Sequence, residues 1–389
     1  LGIFKYRKGD SMDLLGDYRT EIDKIDKEMT KLLEKRMNIS KSISKYKMEH
    51  DMQIFHPERE KIVIEKNKGY LENKEYGDLV ESYYDNLMYL SRLVQQKEIY
   101  SENNIYTKPY KNDRENLVVG YQGVPGSFGN EAMLKYFKNI KEAKSYEKFE
   151  DVFKAVEDGE IEYGILPVEN SSTGGIGTVE DLLKEYNLYI VGEECIRISQ
   201  NLVGIKGATV DDIKEVYSHP QGFEQSTKFF DKHKDYNLIP YSNTAISAKL
   251  VSDLKDKSKA AIASERAAKL YDLKIIKKDV NDLKNNYTRF IVIGRDLECD
   301  ETCDKVSILF SIEDTSGGLY TVIRDIKEFG LNMSKIESRP NRNNPWNYIF
   351  FVDFDGNLFD VNIKKAINTI ARSSKYFKLL GCYRDVKCK

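Results

Sequence analysis

From Leu14 to Gln96 the chain is charged and almost free of glycine and proline, and its apolar residues recur at alternating steps of three and four. Ile22, Ile25, Met29, Leu32, Arg36, Ile39, Ile43 and Tyr46 follow that rhythm without a break. Such spacing places one stripe on one face of a long helix with a heptad seam. A second helix is expected from Pro57, since proline is tolerated in a first turn. A third follows on Leu79, Tyr83, Leu87, Leu90 and Val94. Three elongated helices cannot bury their stripes alone, so pairing with a second copy is expected. Residues 102–116 are polar, contain Pro109 and read as a linker.

The next region has the grammar of an α/β fold. Short apolar runs read as buried strands: 117–121, 163–168, 188–191, 215–217, 260–263 and 290–293, separated by helical patterns and glycine-containing turns. Beyond a polar, cysteine-containing stretch (294–304), the pattern spells βαββαβ. Strands are expected at 306–312, 334–337, 348–354 and 376–383, with helices at 319–329 and 361–370. That is a ferredoxin-like order. At 389 residues, two or three domains are expected.

Composition excludes several classes. With 61 Lys+Arg against 63 Asp+Glu the net charge is −2, which argues against a nucleic-acid binder. No apolar run approaches the ~18 residues of a membrane helix, and no secretory leader stands out. Five scattered cysteines make a disulfide framework unexpected and suit a reducing cytoplasm. Cys299 and Cys303 are four apart with no histidine nearby, a spacing that does not read as zinc-binding. Neither a metal nor an organic cofactor is expected.

Three groups of residues carry chemistry. In the helical region Arg36 occupies a seam position, Lys47 returns to nearly the same face eleven residues later, and Arg19 flanks it. The second helix opens His56-Pro57-Glu58-Arg59-Glu60, and the third carries Ser91 and Gln95 one turn apart. Seam salt bridges and solvated charge would explain each residue singly. As a set they converge cations that a small dianion would compensate.

The set resembles the all-helical chorismate mutase family, a domain-swapped dimer. The resemblance implies that Arg36, Lys47 and Ser91 grip the two substrate carboxylates, and that Lys47 and Gln95 donate to the ether oxygen. It implies that Glu60 accepts from the ring hydroxyl, Arg59 orients the acidic groups, and Arg19 reaches the partner's site. His56 stands where the family often has Asp, a better helix cap.

In the centre, Glu169-Asn170-Ser171-Ser172-Thr173-Gly174-Gly175 follows a strand and precedes a helix, a natural anion site. Further on come Ser218-His219-Pro220-Gln221, Gln225, Asn243-Thr244-Ala245 and Thr288-Arg289-Phe290. Each alone reads as turn or cap chemistry. His219 reads as a structural hydrogen-bonder. Gly120, Gly123, Gly126 and Gly129 never form G-x-G-x-x-G, which argues against a dehydrogenase.

Together these strings resemble prephenate dehydratases, whose α/β fold is two-lobed and periplasmic-binding-protein-like. By that resemblance Thr288 is the catalytic hydroxyl. Asn170, Ser171, Ser218, Gln225 and Arg289 line the site, and Glu169 orients it.

In the last segment, a glycine pair before a helix (Ser316-Gly317-Gly318-Leu319-Tyr320) could bind a carboxylate through backbone N–H groups. Glu337-Ser338-Arg339-Pro340 ends one strand, and Asn344-Pro345-Trp346 precedes the next. A plain oligomerisation unit would fit equally. The Glu-Ser-Arg-Pro string and βαββαβ order resemble the ACT domain, an α+β unit that binds phenylalanine. That resemblance implies effector contacts at Gly317, Gly318, Leu319, Asn332, Glu337, Ser338, Arg339 and Pro340.

The order of the three parts resembles that of bifunctional chorismate mutase/prephenate dehydratases. The expected domains are an all-α mutase at 12–100, a linker at 101–116, an α/β dehydratase at 117–296 and an ACT unit at 304–389. The expected substrates are chorismate and prephenate, the effector L-phenylalanine, and the assembly a homo-oligomer, dimer or tetramer. No nucleic acid or membrane partner is expected, and the expected location is cytoplasmic. The rival expectation is an amino-acid or aromatic-acid binding module without turnover.

Overall fold

In the computed structural model the helical stretch forms α1 (Asp10–Glu49), α2 (Pro57–Gly69) and α3 (Gly77–Ile99). The structure describes residues 10–388 apart from 51, 53, 55, 100–104, 106, 110–115, 316 and 342–346. It divides into two units, 1–103 and 104–389.

In the helical unit, α3 packs against both α1 and α2. Leu87, Met88, Tyr89 and Leu93 of α3 are buried, as are Ser40 and Ser44 of α1. The apolar stripe of α1 is not covered within the chain: Ile22, Ile25, Met29, Leu32, Ile39, Ile43 and Tyr46 are all exposed. α2 begins without a side-chain cap from His56. Pro57 occupies its first turn, and the His56 carbonyl accepts from Glu60 N at 3.1 Å.

The second unit opens with β1 (Leu117–Gln122), α4 (Phe128–Tyr136), β2 (Ile140–Tyr146), α5 (Phe149–Glu157) and β3 (Tyr163–Asn170). These are parallel crossovers, with β1 paired to both β2 and β3. A two-residue β4 (Gly174–Gly175) folds back on β3, and α6 (Gly177–Glu185) leads into β5 (Tyr189–Arg197). The chain then leaves to build a second sheet from β6 (Asn201–Gly204), β7 (Glu215–Ser218), β8 (Asn237–Pro240), β9 (Lys259–Ala263) and β10 (Lys274–Lys277). Short helices α7 (Pro220–Glu224), α8 (Thr227–Phe230), α9 (Thr244–Leu254) and α10 (Glu265–Leu270) connect those strands. It returns through β11 (Tyr287–Gly294), which lies antiparallel between β3 and β5. Two crossings thus join two lobes, each with its own buried core.

The segment 305–383 forms β12 (Lys305–Ser311), α11 (Gly318–Glu328), β13 (Met333–Pro340), β14 (Tyr348–Asp355), α12 (Val361–Ser373) and β15 (Tyr376–Tyr383). Its strand order β13-β14-β12-β15 is wholly antiparallel, as a ferredoxin-like pattern requires. It does not stand apart from the first lobe. β15 pairs with β5 at Gly381 and Ile190, so one sheet runs from β13 to β2. A Cβ on Gly381 would lie 2.0 Å from the Ile190 carbonyl oxygen, so only glycine allows this join. Leu309, Ile349, Phe351 and Leu380 share a core with Val152, Phe153, Leu182 and Leu183 of α5 and α6.

Two sequence expectations change here. Ile105 packs into the C-terminal core, and Lys108 exchanges backbone hydrogen bonds with Leu297 and Cys299, so part of the expected linker is pinned to the second unit. Cys195 and Cys388 form a disulfide across 193 residues, although five scattered cysteines suggested no framework. Because β15 runs beside β5, the tail beyond it brings Cys388 to Cys195. Asn344-Pro345-Trp346 and Ser316 lie outside the described residues.

Candidate active sites and their relatives

In the helical unit the α1–α3 contact gathers polar groups. An Arg36 N–H donates to Ser91 Oγ and to the Leu87 carbonyl (3.2 Å), and Ser91 Oγ donates to that carbonyl at 2.9 Å. Lys47 Nζ donates to the Ile54 carbonyl at 2.6 Å, drawing in the segment after α1. Burial pushes the Arg36 guanidinium and the Lys47 ammonium below their ordinary values, and Glu60 partly opposes both shifts. Gln95 is buried, and its Oε1 has no hydrogen-bond partner.

Arg36 and Ser91 thus meet between α1 and α3, the Glu60 carboxylate acts on both the Arg36 and the Lys47 charge, and Gln95 lies one turn beyond Ser91 on α3. Sequence reasoning missed Arg92, which ion-pairs with Glu60. Its place, midway between Leu90 and Val94 and off the apolar stripe of α3, reads as surface. Arg59 and Arg19 are exposed instead. Arg19 lies roughly 25 Å along α1 from Arg36, given 1.5 Å per residue, so it cannot serve its own chain's pocket.

In the second unit a cleft of about 450 Å³ opens between the lobes. One wall carries Asn170, Thr173, Thr288 and Phe290, and the other carries His219, Gln221, Gln225, Asn243 and Thr244. Asn170 organises the first wall. Its Nδ2 donates to Thr288 Oγ1 (2.9 Å) and Asn286 Oδ1 (2.8 Å), while its Oδ1 accepts from Ser172 N (2.9 Å) and Thr173 N (3.2 Å). With a lone pair engaged by that N–H, the Thr288 hydroxyl keeps its own hydrogen for the cleft.

No lining side chain carries a fixed charge. The N-terminal ends of α4 and α9 border the cleft, capped by Ser127 and Asn243. An anion here would meet helix dipoles, amides and hydroxyls. His219 caps α7, its Nδ1 accepting from Gln221 N at 3.2 Å, which matches the structural reading. Ser218 is fully buried behind Gly222, its Oγ unpartnered; a Cβ at Gly222 would sit 2.4 Å from it. Gln200, which sequence reasoning missed, lines the cleft with a buried, unpartnered Oε1. It sits in an irregular crossing between strands, where no periodic pattern marks it.

Of the residues expected to line the site, Ser218 lies behind Gly222 and Ser171 and Arg289 face elsewhere, as does Glu169, expected to orient it. Arg289 and Glu169 sit on the far side of the sheet because side chains alternate along a strand. Arg289 meets Asp353 (2.8 Å), Glu169 (3.1 Å) and Glu193 (3.2 Å). Burial works against its charge, but Asp353, then Tyr383 and Glu193, outweigh that and hold its pKa above the ordinary value. Lys305 joins the network through Glu193 at 2.7 Å. Ser171 spends its hydroxyl on the backbone, donating to the Asn285 carbonyl (3.3 Å) and accepting from Tyr287 N (2.9 Å).

Alternation also splits the expected effector string. Lys335, Glu337 and Arg339 of β13 face inward, and Ser338 and Pro340 are exposed. Lys335 pairs with buried Glu180 of α6 (3.0 Å) and Arg339 with Asp181 (3.4 Å). Glu337 and Arg339 lie over Gly175 and Gly177: a Cβ at Gly175 would sit 3.2 Å from the Glu337 carboxylate, and one at Gly177 would displace the Arg339 guanidinium, 2.2 Å away. Gly317 caps α11 with φ +80°, and Asn332 donates to Asp355 Oδ2 at 2.7 Å.

Residues 18–96 match the family model for chorismate mutase type II, and residues 119–298 match that for prephenate dehydratase. A bifunctional chorismate mutase/prephenate dehydratase from Aquifex aeolicus is 32% identical over 374 residues, covering 96% of this chain and 98% of that protein. The chain belongs to the bifunctional chorismate mutase/prephenate dehydratase family. It is an enzyme of phenylalanine biosynthesis with two activities, an isomerase and a carbon–oxygen lyase. A prephenate dehydratase from Arthrobacter aurescens, solved in complex with L-Phe, superposes with TM-score 0.64 at 26% identity over 70% of this chain and 91% of that one. GqqA, described as a quorum-quenching acylase, superposes with TM-score 0.63 at 27% identity over 69% of this chain and 98% of that one. No described helix is long and apolar enough to cross a membrane.

Proposed function

We propose that the inter-helix pocket rearranges chorismate to prephenate and that the cleft converts prephenate to phenylpyruvate, with L-phenylalanine restraining the second step. The observation that carries the cleft assignment is the Asn170 Nδ2–Thr288 Oγ1 hydrogen bond in an otherwise uncharged cleft.

The mutase step needs neither a nucleophile nor a proton transfer. The pocket must hold the folded conformer and meet charge growing on the ether oxygen. Arg36 and Lys47 supply cations for the carboxylates, with Ser91 holding Arg36 in place. Lys47 and Gln95 supply donors to the ether oxygen, and Glu60 an acceptor for the ring hydroxyl. The bare α1 stripe and the remoteness of Arg19 support a homodimer in which a second copy covers the stripe and receives Arg19.

In the cleft, Thr288 protonates the departing ring hydroxyl, which leaves as water while the ring carboxylate leaves as carbon dioxide. The electron pair of the broken C–C bond completes the aromatic ring, and solvent returns the proton to Thr288. A threonine hydroxyl suffices because aromatisation drives the step and only a positioned donor is required. The substrate carboxylates fall to the α4 and α9 termini, with Gln200 and Gln225 as polar neighbours. An acyl-transfer reading is not favoured, since no cleft hydroxyl among the described residues is hydrogen-bonded to His219.

The 304–389 segment is read as an ACT-type effector unit. Its support is the seat of Glu337 and Arg339 on Gly175 and Gly177, the turn that follows Asn170. The test is an assay of the purified chain with chorismate and, separately, prephenate, following phenylpyruvate with and without phenylalanine. Turnover of both, reduced by phenylalanine, is expected. Prephenate binding without product would overturn the reading in favour of a sensor.

A further inference from the structure

Three cysteines outside both sites converge. Cys299 and Cys303 lie on the connection from β11 to β12, and Cys382 lies near the end of β15. All three are buried free thiols, and their Sγ atoms lie within 4.8 Å of one another. A tetrahedral ion with metal–sulfur bonds of about 2.3 Å holds its sulfurs about 3.8 Å apart. The triangle is therefore the size of one face of such a site. Cysteines buried merely as small apolar residues have no reason to meet at a point.

The surroundings are built to fix the loop. Asp300 N donates to Cys303 Sγ at 3.5 Å, and Asn357 Nδ2 donates to the carbonyls of Asp300 (2.8 Å) and Cys303 (2.6 Å). Asn357 Oδ1 lies 3.9 Å from Cys299 Sγ. The Asp300 carboxylate stands 3.7 Å from Cys303 Sγ and is held by Arg384 at 3.3 Å. Here the Cys299 and Cys303 thiols donate to Asn357 Oδ1 and Asp300 Oδ1, S–H bonds that cation binding would replace, while the Asp300 N–H is an amide-to-sulfur donor of the kind that orients a thiolate ligand.

We propose that Cys299, Cys303 and Cys382 form a thiolate site for a thiophilic divalent cation of the zinc class. Binding exchanges three S–H protons, released to solvent, for one cation, and no electrons move. Cys382 supplies the third ligand that the Cys299–Cys303 spacing alone lacks. The site is structural: it clamps the connection between the lobe and the βαββαβ segment to β15.

The test uses the full chain, reduced with a phosphine and freed of metal by a chelator, then titrated with Zn²⁺ and separately with Co²⁺. One equivalent of Zn²⁺, a raised thermal midpoint and an intense sulfur-to-cobalt charge-transfer band are expected. The band should vanish in Cys303→Ser and Cys382→Ser and persist in Cys388→Ser. Should a serine variant fail to fold, the wild-type cobalt spectrum decides. Absence of the band in wild type overturns the proposal. So does a band that survives Cys303→Ser, or a disulfide within the triad with no cation uptake after reduction. None of these readouts depends on either enzyme activity.

Discussion

Thr288 and Arg289 are consecutive on β11 and face opposite sides of one sheet. Thr288 Oγ1 meets Asn170 in the cleft, while the Arg289 guanidinium lies 2.8 Å from Asp353 of the βαββαβ segment. The reacting hydroxyl and the hub of the ion network thus share one peptide bond but not one environment.

Replacing Arg289 should therefore act on stability before it acts on chemistry. Arg289→Ala leaves Glu193, buried at the centre of the network, with Lys305 as its remaining cation. Removing one partner of a buried ion pair costs about 3–5 kcal/mol. Urea unfolding should show that loss, while the folded fraction keeps its KM for prephenate. A raised KM with unchanged stability would return Arg289 to the cleft.

Thr288→Val keeps the shape and removes the hydroxyl. Prephenate turnover should fall by about 10²–10⁴-fold, the usual worth of a positioned proton donor. Chorismate consumption should be untouched. Undiminished phenylpyruvate formation would remove Thr288 from the mechanism.

The mutase pocket predicts an alkaline limb. Burial holds the Lys47 ammonium below the ordinary lysine value, so activity needing the charged form is lost as pH rises through that lowered value. A kcat/KM profile for chorismate should bend below pH 10.5, the unperturbed figure. In Lys47→Arg the guanidinium stays charged, so that bend should be absent whatever activity remains. A wild-type profile flat to its alkaline end would contradict the placement.

Ile25→Glu puts a charge in the exposed stripe of α1, where the chain itself provides no cover. Sedimentation should show a shift to monomer, and mutase activity should fall with it. Prephenate turnover should survive. A stable dimer with intact mutase would place the interface elsewhere.

Much of this was legible in the sequence. The 3/4 rhythm of α1 and the βαββαβ order follow from periodicities that local backbone geometry imposes, and Asn170, Thr288 and Gln225 fell to one cleft. What failed was the direction of neighbours. The family resemblance implies that Arg289 lines the cleft and Glu169 orients it, although a strand turns every second side chain away. Lys335, Glu337 and Arg339 likewise face α6, and Ser338 the other way. Gln200 and Arg92 escaped notice because tertiary packing, rather than a local pattern, gives each its partner. Cys382 could not be joined to Cys299 and Cys303 by spacing, because their meeting depends on β15 lying beside β12.

The close join of Gly381 to Ile190 has a mechanical consequence. With β15 hydrogen-bonded to β5, the C-terminal segment and the first lobe form a single stiff plate with no slack hinge between them. The second lobe, by contrast, hangs from two crossings, 197–201 and 277–287. The second unit therefore has one jaw and one anvil. The β13 rim and the face holding Thr288 are thus two parts of one continuous sheet, while the jaw is tied to it by those crossings alone.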